Sequence, residues 1–200
     1  MGKAFFKREE NFIQETYHKS YLILNFQSQK LSHRFAHLRT HGGMTNNQQT
    51  NPVTPVDLAA MVEARVHESL SEVARPFDLG RARLYGVNFR GDDLQLSFVL
   101  EHGDIYQLLD TPESACARMF DAAALVTCGW AAPIAEGEDE PSGAPSEHPE
   151  RRRVRLVVVV ADAGVASVLR FRDDAENPIL DAGEAKGPLA AAVAGFWSNP

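Results

Sequence analysis

Cysteine is scarce: Cys116 and Cys128 are the two in 200 residues. That count excludes a disulfide framework, and their spacing is not that of a Cys-x-x-Cys pair. Both read as reduced core or near-core thiols, which points to the cytoplasm. No apolar run approaches the ~18 residues of a membrane span, and Tyr21 to Phe26 is too short for a secretory signal. Catalytic signatures are missing as well. There is no H-E-x-x-H, no EF-hand loop and no phosphate-cradling glycine loop, and Ser167 lies outside any Gly-x-Ser-x-Gly elbow. Gly80, Gly86 and Gly91 read as strand and turn glycines. No catalytic residue, metal site or cofactor is therefore assigned, and the chain reads more as a non-enzyme than an enzyme.

The apolar share of 44% suffices for a core, and the formal charge of −7 argues against a mainly electrostatic nucleic-acid binder. The charge is unevenly spread. Residues 1–43 hold seven of the twenty Lys and Arg and three of the twenty-seven acids, a balance of 7 − 3 = +4, against 13 − 24 = −11 for the rest. Residues 1–53 thus read as an appended basic arm, flexible or upstream of a start at Met44, and 54–200 as one α+β domain. His33, His37 and His41 recur at i, i+4, i+8 in the arm, but without a nearby acid or cysteine this spacing is not taken as a metal site. His102, Asp104 and His148 are set aside in the same way.

Thr54-Pro55-Val56-Asp57 opens a helix, with Thr54 as cap and Pro55 at the first turn. Leu58, Met61, Val62, Val66, Leu70 and Val73 form its inward stripe, Glu63, Arg65, Glu68 and Glu72 its wet side, and Pro76 its stop near Arg75. From Arg83 the period becomes two. Phe89 facing Leu94 across the Arg90–Asp93 turn gives a half-buried antiparallel hairpin. Ile105–Leu109 reads as a short third strand. Thr111 to Cys128 reads as a second helix with Cys116, Met119, Phe120, Ala123 and Val126 or Thr127 buried, and Gly129 as its cap. Residues 135–150 are acidic and rich in Pro, Gly and Ser, and read as a mobile loop. Arg172 to Pro178 reads as a polar connector. Gly187-Pro188 starts a last helix anchored by Trp197.

Arg151 to Arg172 reads as a second hairpin. An even loop pairs Val160 with Val165, Val158 with Ser167, Leu156 with Leu169 and Val154 with Phe171, which keeps one face apolar throughout. The other face is apolar near the turn and carries Arg153, Arg155, Arg170 and Arg172 at the open end, expected outside. The predicted fold is a four- to five-stranded antiparallel sheet with three helices, in the order α-β-β-(β)-α-β-β-α, helices mainly on one face. Over roughly 55–197 this element order resembles that of acidic, dimeric secretion chaperones, in topology and not in any motif. The Ala/Val/Asp/Arg bias and the segment Cys128–Pro133 look like small proteins of GC-rich bacterial genomes.

The function expected from this is a protein-interaction or chaperone-like module acting as a homodimer. The alternative is an anion-binding protein or small-molecule enzyme that uses Arg153, Arg155, Arg170 and Arg172, since arginine forks match carboxylate and phosphate. Nucleic acid comes third, because Phe171 alone is interleaved with those arginines and lies on the opposite face.

Overall fold

The computed structural model describes residues 53–90, 93–133, 143–180, 185 and 187–198. The arm 1–53 apart from Val53, the first half of the acidic stretch, and Gly91 and Asp92 of the first turn lie outside the described residues.

Helix α1 (Pro55–Leu70) begins as its sequence dictates. Thr54 Oγ1 accepts from the Asp57 amide at 3.2 Å, and the Asp57 carboxylate accepts from the Thr54 amide, closing a capping box. It ends at Leu70 rather than Arg75, because Ser71 returns both its amide and its hydroxyl to the Glu68 carbonyl. Strands β1 (Ala82–Arg90) and β2 (Asp93–His102) form the expected hairpin, with Phe89 opposite Leu94 and Val87 opposite Leu96. A bulge between Leu84 and Tyr85 leaves Val99 unpaired on β2.

The next stretch departs from expectation. Ile105–Asp110 is not a strand but a short helix, α2, capped by Asp104, whose carboxylate accepts from the Gln107 amide at 2.9 Å. Pro112–Met119 is a 3₁₀ turn, and the rest of the predicted second helix is strand β3 (Ala122–Ala131). Cys116, expected in the core, is exposed, and Gly129 lies within β3 instead of capping a helix. The reason is burial on both faces. Ala123 and Leu125 look into one core while Ala124 and Val126 look into the other, so the apolar run shows no alternation and its alanines mimic helical propensity.

Strands β4 (Arg152–Ala161) and β5 (Gly164–Phe171) pair in the expected register, from Ala161–Gly164 at the turn to Val154–Phe171 at the open end. Gly164 sits at φ 129°, a backbone state that side chains disfavour. The polar connector is in fact a strand, β6 (Asp174–Leu180), where Val168 meets Leu180 and Leu169 meets Ile179. Helix α3 (Pro188–Ser198) closes the described chain, with Trp197 Nε1 donating to Asp162 at 3.0 Å.

The sheet has six antiparallel strands, in the order β2-β1-β3-β4-β5-β6. The α+β class and the single antiparallel sheet therefore hold, but the strand count of four to five does not. Nor do the helices share a face. Leu58, Val62 and Val66 of α1 pack on Val87, Val157, Val159, Ala166 and Val168. Leu108 of α2 and Leu189, Val193 and Phe196 of α3 pack on the other side, against Leu84, Leu125, Val154, Leu156 and Val158. The observed element order no longer follows the one on which the likeness to secretion chaperones rested, since its second long helix is a strand.

Candidate functional site

The register that holds β4 to β5 places Arg155 directly opposite Arg170. Two like charges opposite each other on one sheet face repel unless an acid lies between them. Helix α1 supplies that acid. Glu63 stands on the inward side of the helix, between the buried Ala59 and Val66, and is 1% exposed. Its carboxylate accepts from Arg155 Nη2 at 2.8 Å and from Arg170 Nε at 2.6 Å, with a second bond from Arg170 Nη2. Arg155 is 0% exposed and Arg170 6%. The expectation that both guanidinium groups lie outside is thus overturned. They share the α1 face with Val157 and Val168, opposite the face of Leu156.

The remaining donors are mostly met. Arg155 Nη1 reaches the Pro76 carbonyl at 3.4 Å, and Arg170 Nη1 donates to the Ala175 carbonyl. Arg155 Nη2 also lies 3.0 Å from His67 Nδ1. An arginine donates only, so His67 accepts there and carries its proton on Nε2. His67 is half-buried. Burial, and then the charges of Arg170 and Arg155, hold its pKa below the ordinary imidazole value. For Glu63, burial pushes the carboxyl up, but the hydrogen bonds and charges of Arg170 and Arg155 outweigh it and leave the pKa lowered. Arg155 Nε is buried with no partner among the described residues, and the Phe77 ring lies under its guanidinium, 5.1 Å from carbon to centroid. Cys128 lies at the margin of the cluster, half-buried, its thiol pushed up by burial, so it is no activated nucleophile.

The four arginines named from the sequence therefore do not form one rim. Arg155 and Arg170 are committed to Glu63. Arg153 donates to the Phe77 carbonyl at 2.9 Å, pairs with Asp78 at 2.7 Å and lies over the Trp130 ring. Arg172 is exposed. Phe171 is buried and covered by Arg152, 3.9 Å above its ring, so it is not free to stack on a base. No metal-holding cluster of His, Cys, Asp or Glu occurs among the described residues.

Sequence reasoning missed Glu63 and His67. The signal was present for Glu63: its helical spacing from Ala59, Val66 and Leu70 puts it on the inward stripe, and the arginine pair that calls for it was already implied by the hairpin register.

The second notable surface is the β1–β2 flank. Helix α1 lies over β4 and β5 and leaves this end of the sheet partly bare. Tyr85, Phe89, Leu94 and Leu96 are only half-buried at the edge of the α1 core. Phe98 is 57% exposed, its ring set edge-on to Tyr85 with centroids 5.8 Å apart. No known family model, curated protein or solved structure matches the chain.

Proposed function

We propose that the protein is a small interaction module that offers the β1–β2 flank of its sheet to another protein. The observation that carries this reading is the contiguous apolar row Leu94, Leu96 and Phe98 beside Tyr85 and Phe89, ending in an aromatic ring more than half exposed. An apolar patch next to a well-packed core marks a contact site, and aromatic residues anchor such contacts. The net charge of −7 suits a soluble partner of other proteins. A cytoplasmic place fits the free thiols, and no described helix is long and apolar enough to cross a membrane.

The anion-site alternative loses its central pair, because Arg155 and Arg170 already share one carboxylate in the interior. The interaction reading is tested by placing a photoreactive benzoylphenylalanine at position 98 in cells. A protein adduct is expected from position 98 and not from Glu176, an exposed control on β6. Equal or no adduct at the two positions would overturn the reading.

A further inference from the structure

The sheet has two edges, β2 and β6, and they are built differently. β6 is blunted: Asp174 and Glu176 are exposed along it, and Pro178 removes a backbone donor. β2 is less protected: its acids, Asp93 and Glu101, stand toward its two ends, and its bulge lies at Val99, past the middle of the strand. It is ten residues long, holds no proline or lysine, and is uncharged from Leu94 to Leu100. Among the described residues nothing pairs with its outer side. Such an edge is a row of open N–H and C=O groups, a template for another strand.

The sequence of β2 indicates which strand. The bulge at Val99 ends its regular alternation, so the flat stretch is Leu94–Phe98, centred on Leu96. Antiparallel pairing of this stretch with a second copy about that centre sets Leu96 opposite Leu96, Leu94 opposite Phe98 and Gln95 opposite Ser97. Apolar meets apolar and polar meets polar on their own faces. A register centred one residue later, on Ser97, would place Asp93 opposite Glu101, acid against acid. Charge also favours this edge over the rest of the surface. Two acidic copies repel, and an uncharged strand is where that repulsion is locally least. Strand pairing alone falls short of the ~1,200 Å² of a specific interface, and Leu94, Leu96 and Phe98, meeting their counterparts across the seam on one face, add apolar contact to it.

We infer that β2 is the seat of a two-fold dimer of this chain, the two sheets joining edge to edge in the register centred on Leu96. This rests on the reading of the flank as an interaction surface and names its partner. The contact is isologous, so each pair except the central Leu96–Leu96 occurs twice about the axis.

The test uses the full chain with Cys116→Ser, which removes the exposed thiol. Light scattering at micromolar concentration should give twice 22.0 kDa, and Phe98→Glu should give a monomer. Under mild oxidation Leu96→Cys should form a covalent dimer at least about 10-fold faster than Ser97→Cys, because only the central pair brings like positions within disulfide reach. Should Leu96→Cys not fold, an oxidised mixture of Gln95→Cys and Ser97→Cys proteins should cross-link as a heterodimer while neither does so alone. A monomeric parent protein, or faster closure by Ser97→Cys, would overturn the inference. So would a dimer that persists in Phe98→Glu. A monomer whose position 98 still labels another protein would leave the interaction reading standing and remove the second copy. A monomer with no adduct would remove both.

Discussion

At pH 7 the cluster beneath α1 holds two guanidinium charges and one carboxylate, so this part of the interior carries one excess positive charge. Such a cluster is weak evidence for net stability, since desolvation of three ions offsets most of their attraction, but breaking it is costly. Glu63→Gln would leave Arg155 and Arg170 facing each other without a counter-charge and should lower unfolding free energy by about 3–5 kcal/mol. Replacing all three at once, Glu63→Leu with Arg155→Met and Arg170→Met, should leave stability nearly unchanged or raise it by up to about 4 kcal/mol. Urea denaturation of the three proteins decides this, and a triple variant as weak as Glu63→Gln would refute the account. A second residue-scale constraint sits at Gly86 in β1, where an added Cβ would lie 2.1 Å from the Phe120 ring. Gly86→Ala should cost about 1–3 kcal/mol by displacing that ring. In a double-mutant cycle the cost should largely vanish in a Phe120→Ala background; additive losses would show that the ring is not the obstacle.

Single elements differ in how much of them was written locally. The start of α1 was, because its capping box needs only Thr54 and Asp57, and Pro55 suits the first turn between them. Thr54→Ala should therefore cost about 1 kcal/mol, read as a lower denaturation midpoint with unchanged slope. No change would mean that packing on β4 and β5 fixes the helix start without the cap. Both hairpins were legible for a related reason: alternation and a short turn fix a register without reference to the rest of the chain. β3 was not, since a central strand covered on both faces loses its alternation and Ala122–Ala124 read as helix. β6 was hidden by its own protection, the acids and the proline that suit an edge. The candidate site was half visible. The four arginines were found, and the opposition of Arg155 to Arg170 followed from the register, but their burial depended on which face α1 would cover. That is set by the whole fold and by no local pattern.

On the scale of the molecule, the sheet is a wall between two cores, and α1 is held to its side by one apolar stripe and one ionic cluster. The cluster makes that attachment sensitive to acid in two steps. His67 has its folded pKa below the unfolded value of about 6.5, so the unfolded chain takes up that proton first. The stability His67 contributes is fully present above pH ~6.5 and is lost as pH falls through its lowered folded value. Protonation there also sets a third positive charge beside Arg155 and Arg170 and removes the Nδ1 acceptor. Glu63, likewise lowered, contributes above the unfolded carboxylate value of ~4.3 and loses that contribution only as pH falls further. Melting temperature should thus begin to fall just below pH 6.5 and steepen below pH ~4.3. His67→Asn, which keeps an acceptor for Arg155 but does not titrate, should flatten the first step and leave the second. As α1 lifts away, Val157, Val159, Ala166 and Val168 lose their cover, so binding of a hydrophobic dye should rise with the second step in both proteins. A first step of equal size in His67→Asn would show that the acid response originates elsewhere in the molecule.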